Sequence, residues 1–142
     1  MFKTVIWATD ASGDAEAALP FAKELVQESG GRLVVVHSKE HLDVEKRIES
    51  EVAELREEGI DTVFKLVSSS AGDPAHAIAD VASALDADVI VVGTRGYGPV
   101  TGVVVGSVTQ QLLGLAPCPV LSVPPATRWL EKTKRAPAAS AA

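Results

Sequence analysis

Residues 93–107 read Gly-Thr-Arg-Gly-Tyr-Gly-Pro-Val-Thr-Gly-Val-Val-Val-Gly-Ser and contain five of the chain's eleven glycines. The chemistry this composition suits is the binding of an anion. Glycine admits positive φ and lets another group approach the backbone closely. Several amide N–H groups of such a loop can point at one phosphate. Gly106-Ser107 then opens a predicted helix, whose first N–H groups lack partners and whose dipole favours negative charge. Ser107 adds a hydroxyl, and Arg95 a cation suited to phosphate. A plain turn before a helix, with Ser107 as its cap and Arg95 in solvent, uses the same residues, and spacing alone does not choose between the two. Two familiar phosphate motifs are absent. The Walker A loop needs Gly-Lys-Ser/Thr, which does not occur. A dinucleotide fingerprint needs glycine where Thr101 stands, and it follows a first strand rather than a fourth.

A phosphate loop works only if regular elements hold it, and the flanking pattern supplies them. Thr4–Thr9 reads as a strand, and Asp10-Ala11-Ser12-Gly13-Asp14 as turn and cap chemistry. A helix is predicted from about Asp14 to Ser29, with Ala18, Phe21, Ala22, Leu25 and Val26 at helical spacing and Gly30-Gly31 as its stop. Arg32–Ser38 is the second strand. Lys39–Glu58 carries one apolar stripe, Val44, Ile48, Val52 and Leu55, and reads as an amphipathic helix stopped by Gly59. Ile60–Val67 is a third strand, interrupted by Asp61, Thr62 and Lys65. After a loop at Ser68–Gly72, Asp73-Pro74 starts a helix whose buried stripe is Ile78, Val81, Ala82 and Leu85. Ala87–Val92 is the fourth strand, Ser107–Leu115 a helix, and Pro119–Val123 the fifth strand.

Strands alternating with helices imply a single-domain α/β fold, a doubly wound parallel five-stranded sheet with helices on both faces. Such sheets bind ligands beyond the carboxyl ends of their strands, where strand order reverses. Those ends carry Asp10, Ser38, the Ser68–Ser70 loop and Gly93. Pro124-Pro125 is expected to close a domain spanning 1–125. Residues 126–142, ending in Ala-Pro-Ala-Ala-Ser-Ala-Ala, are expected to be a disordered tail.

Composition excludes several classes. Aromatic residues are only 4% of the chain against 46% hydrophobic, so the core is aliphatic. The net charge of −6 disfavours nucleic acid as a partner. No apolar run reaches membrane-spanning length, and Met1–Ile6 enters a strand pattern with no signal-peptide character. A cytoplasmic location and no membrane partner are therefore expected. The single cysteine, Cys118, reads as a packed thiol. His37 reads as a packed strand-end residue, and His41 and His76 as helix-surface or helix-start residues. No catalytic or metal-ligating residue is assigned. A phospho-accepting receiver would need an aspartate after the third strand, where Ser68-Ser69-Ser70 stands. A flavin carrier would need an early phosphate loop and more aromatics.

Gly93-x2-Gly96-x9-Gly106-Ser107 is matched along the chain by Asp10-x-Ser12, by the alanine-rich start of the first helix, by Val35-Val36-His37, by Asp73-Pro74 with Ile78, by Ala87–Gly93 and by Cys118-Pro119-Val120-Leu121. In this order they resemble the universal stress protein family, in its ATP-binding subgroup, over about residues 2–124. The resemblance implies a Rossmann-like domain that binds ATP, or ADP or AMP, as a stress-response regulator. Asp10 would hydrogen-bond ribose with Ala8 nearby, and backbone around Ser38 would meet adenine. Val92, Gly93, Thr94, Arg95 and Gly96 would surround ribose and phosphates, and Gly106, Ser107 and Val108 would complete the phosphate site. Mg²⁺ is left open as a companion of ATP. Slow hydrolysis is compatible with the family, whereas no placed base or lysine supports an efficient phosphotransferase. A homodimer through strand five, 119–123, is also implied. The alternative is an interaction module of the same fold without nucleotide; relatives of that kind usually lack the glycine signature present here. Ser38, Tyr97 and Pro99 depart from the small, apolar or basic residues common at their positions.

Overall fold

Strands made of unbroken Val, Ile and Leu need apolar cover on both faces. The computed structural model, which describes residues 1–38, 42–68, 74–94 and 106–125, provides it. The elements in chain order are β1 (Thr4–Ala8), α1 (Gly13–Ser29), β2 (Arg32–Ser38), α2 (Leu42–Glu57), β3 (Asp61–Val67), α3 (Pro74–Ala84), β4 (Val89–Gly93), α4 (Ser107–Leu115) and β5 (Val120–Val123). The strands form one sheet ordered β3-β2-β1-β4-β5, and all neighbours are parallel. Strand order reverses between β1 and β4, as expected for a doubly wound sheet. The expected tail, 126–142, lies outside the described residues.

Successive side chains of a strand point to opposite faces, and the two cores sort accordingly. Trp7, Val35 and Val91 pack with Ala18, Ala22 and Val26 of α1 and with Ile48, Val52 and Leu55 of α2. Ile6, Val34 and Ile90 pack with Ala75, Ile78 and Ala82 of α3 and with Leu112 of α4. The Trp7 indole N–H donates to the Ala15 carbonyl at 2.9 Å, so the one large aromatic of β1 is also satisfied and ties the strand to α1.

Three local features depart from the sequence reading. The polar residues of β3 do not interrupt it; it pairs with β2 over seven residues, Asp61 to Val67. β3 lies at the sheet edge, where Asp61 and Lys65 are exposed and Asp61 Oδ2 meets Arg32 Nε at 3.1 Å. β4 starts at Val89 rather than Ala87, because Asp88 serves as a clamp. Its Oδ2 accepts the N–H groups of Lys3 and Thr4, both at 2.9 Å. α1 starts at Gly13, one residue early, because Ser12 is its N-cap and accepts the Ala15 N–H.

Two glycines are required by crowding. A Cβ on Gly31 would overlap the Lys3 backbone, and one on Gly93 would lie 2.5 Å from the Asp14 carbonyl oxygen. Gly93 therefore lets the end of β4 reach the first turn of α1.

The carboxyls of Glu16 and Glu51 meet between α1 and α2, and Oε1 of each is buried with no donor among the described residues. Burial pushes the Glu51 carboxyl up from 4.5 to about 8. The hydrogen bond to Glu16 and the charges of Glu16 and Glu54 push the same way, and Arg47 opposes them. Two ionised carboxylates offer each other no donor, so the folded chain keeps a proton that the unfolded chain releases. Stability therefore falls as pH rises from about 4.5 through about 8. Glu51→Gln supplies a permanent donor. It is expected to stabilise the fold by about 1–2 kcal/mol at pH 8, allowing for solvent screening, and by nothing near pH 4. Urea denaturation at the two pH values measures the difference.

Candidate functional site

The site is assembled at the carboxyl ends of β1 and β4, on either side of the reversal. Trp7 pairs with Val91, and the two strands end just beyond this pair, β1 at Ala8 and β4 at Gly93. A short turn joins β1 to α1, and hydrogen bonds hold each step of it. The Thr9 N–H donates to the Val36 carbonyl at 3.0 Å. Thr9 Oγ1 accepts the Ala11 N–H at 3.0 Å, and Asp10 Oδ1 accepts the Ser12 N–H at 2.9 Å. These are the local side-chain turns that Thr and Asp favour. Between them Ala11 is left-handed, with φ 64, and is buried. A non-glycine residue takes that conformation only when its surroundings enforce it. Asp10 is thus both a turn residue and a carboxylate at the strand end.

The end of β4 is also fixed. The Gly93 carbonyl accepts the Thr109 hydroxyl at 2.9 Å, which ties β4 to α4. The Thr94 N–H and hydroxyl donate to the Val123 carbonyl at 2.9 and 2.8 Å. Its carbonyl accepts the Gly106 N–H at 2.7 Å. Thr94 and Gly106 therefore pinch together the two ends of the glycine-rich segment. Thr94, expected among the ligand-binding groups, directs both of its donors to β5 and so anchors the end of β4.

Helices α1 and α4 start differently. Ser12 caps α1 with its own hydroxyl, whereas α4 has Gly106 as N-cap and no side-chain cap. Gly106 has φ −63, so extended backbone and not positive φ places it. Ser107 is the first helical residue rather than the cap. It is exposed, and its hydroxyl has no hydrogen-bond partner among the described residues. Among the described residues nothing caps the start of α4 through a side chain, and a helix start of this kind, with its first N–H groups and a nearby hydroxyl, is suited to receive an anion.

The other expected site residues fall around this point. Ala8 and Val92 are buried in the core beneath α3 and α4, so they can meet a ligand only through backbone. Val108 packs against the same core. Ser38 ends β2, paired in register with Val67. Arg95 and Gly96 lie outside the described residues, as do Tyr97 and Pro99. Three structural contributors escaped the sequence reading of the site: Thr9 and Thr109, which had no assigned role, and His37, read only as packed. His37 is 4% exposed and its Nδ1 lies 2.9 Å from the Thr9 carbonyl oxygen. A threonine two residues before a backward-turning alanine is the one local signal that could have marked Thr9. Among the described residues no three His, Cys, Asp or Glu side chains are grouped to hold a metal ion. No described helix is long and apolar enough to cross a membrane.

Comparison with known proteins agrees with this architecture. The family model for universal stress proteins matches residues 1–124, from the start of the chain through β5. A universal stress protein of Thermus aquaticus is 36% identical over 140 residues, covering 87% of this chain and 99% of its own. A universal stress protein of Archaeoglobus fulgidus, solved in complex with dAMP, is 28% identical with a TM-score of 0.65, and the match covers 87% of this chain and 98% of that one. A universal stress protein solved in complex with cAMP shares the fold at a TM-score of 0.67 and 23% identity, over 88% of this chain and 98% of that one. The five-stranded order, the glycine-serine signature that opens α4 and the match across all five strands have one conclusion: the chain belongs to the universal stress protein family.

Proposed function

We propose that this stress protein binds an adenine nucleotide, foremost ATP, across the reversal between β1 and β4, and acts through that binding as a regulator. The carrying observation is the start of α4: Gly106 is the N-cap and no described side chain caps the helix, with the exposed Ser107 beside it. Phosphates would rest there, with Arg95 and Gly96 as further contacts that the family resemblance implies. Asp10 would take the ribose hydroxyls, and backbone near Ser38 the adenine. The dAMP and cAMP complexes of relatives support the class of ligand. When ATP is bound, Mg²⁺ would accompany its phosphates.

The same proposal covers assembly. β5 ends the sheet, with one strand neighbour, and Leu121 is 37% exposed. An apolar edge strand of this kind is suited to pair with its copy, giving a homodimer through residues 119–123.

Thermal melts and titration calorimetry with AMP, ADP and ATP test the nucleotide. A ligand at 100 times its dissociation constant stabilises the folded state by about 2.7 kcal/mol. No shift and no binding heat at millimolar nucleotide, with no nucleotide released on denaturing freshly purified protein, would rule the site out.

A further inference from the structure

We infer that His37 is a positioning residue for this nucleotide site: its Nδ1–H grips the Thr9 carbonyl and so sets the turn that presents Asp10, a role that rests on the proposal that Asp10 binds ribose. A carbonyl oxygen only accepts, so at 2.9 Å the hydrogen must sit on Nδ1. In the neutral ring Nε2 carries the lone pair; it is buried and has no partner among the described residues. The ring is held in the tautomer that a free imidazole disfavours.

The consequence runs through a single peptide plane. The carbonyl of Thr9 and the amide of Asp10 belong to one rigid unit. Fixing the oxygen fixes the direction in which the backbone enters Asp10. Thr9 is 5% exposed, and all three of its polar groups are engaged: N–H with Val36, Oγ1 with Ala11, carbonyl with His37. Only the last of these bonds comes from a side chain of another strand. Without it the carbonyl is a buried acceptor lacking a donor, and rotating the peptide to find one releases Asp10 and the left-handed Ala11.

His37→Asn and His37→Phe separate positioning from packing. Asparagine places an amide N–H near the former Nδ1, and phenylalanine keeps the ring without a donor. His37→Gln, whose amide reaches the Nε2 position instead, replaces the phenylalanine variant if that fails to fold. The first measurement is hydrogen exchange at the Ala11 and Ser12 amides. It should be about tenfold faster in the phenylalanine or glutamine variant, equivalent to about 1.4 kcal/mol, and close to wild type in the asparagine variant. AMP affinity by calorimetry should follow the same order, about tenfold weaker without the donor and within about threefold with it. A long-range proton–nitrogen NMR spectrum of the wild type should show hydrogen on Nδ1. Unchanged exchange and affinity in the phenylalanine and glutamine variants, an asparagine variant as weak as they are, or an Nε2–H tautomer would overturn the role of His37 while nucleotide binding by the wild type stands. A wild type that binds no adenine nucleotide overturns the site itself.

Discussion

Gly31→Ala is expected to destabilise the fold by about 3 kcal/mol and to lower the melting temperature by roughly 10 °C, with Gly93→Ala not far behind. The reason is contact and not φ. At Gly31 the added carbon overlaps the carbonyl, carbon and Cα of Lys3, all backbone. That same Lys3 carbonyl accepts the Arg32 N–H at 2.7 Å, so relief of the clash separates β1 from β2 and breaks their first bond. At Gly93 the added carbon meets Asp14 O at 2.5 Å, Asp14 C at 2.6 Å and Ala15 N at 3.0 Å. Here the first turn of α1 must lift from the end of β4. Gly114 inside α4 is the control, because a Cβ there has nothing within 4 Å. Gly114→Ala should stabilise by about 0.5–1 kcal/mol through helix propensity alone. Differential scanning calorimetry of the three variants measures both signs. If Gly31→Ala and Gly114→Ala move the melt in the same direction, the crowding account is wrong.

Gly106→Asp should move stability and binding in opposite directions. Its backbone suits any residue, with φ −63 and ψ 154, and its N–H and carbonyl are already bonded to Thr94 and Gln110. Aspartate is a strong N-cap and favours a helix dipole at its positive end, so the protein should gain about 0.5–1 kcal/mol. The same carboxylate would occupy the N–H groups offered to phosphate and repel it. Nucleotide affinity should fall by at least about tenfold, more for ATP than for AMP because more charge is repelled. Calorimetric titration of both nucleotides, with a melt of the free protein, gives the two readings. Retained ATP affinity in this variant would place the phosphates elsewhere.

The fold was legible because its signals are local and repeated. β2 and α4 occupy the residues their periodicity assigns, Arg32–Ser38 and Ser107–Leu115. The end of the sheet where the site is proposed was named from alternation alone. The polar residues of β3 misled because a sequence does not mark which strand lies at an edge. Gly93 was read as a ligand residue, and the structure adds a constraint from the backbone of Asp14, seventy-nine positions away in the chain and adjacent only after folding. Of the two readings of Ser107, cap or first helical residue, the structure takes the second, with Gly106 as the cap. The His37–Thr9 bond was beyond reach for a related reason. It depends on the register that sets Ala8 beside Val36, and no local pattern in either segment reports it.

The two cores lie on opposite sides of one layer of backbone and have no buried residue in common. Ile48 and Val52 answer to α1 and α2, while Ile78 and Leu112 answer to α3 and α4. Substitutions that share no neighbours combine additively. The chain is in that sense two half-proteins that can be repacked separately, so drift beneath α2 leaves the bed of α4, where the phosphates are proposed to sit, free of epistatic debt.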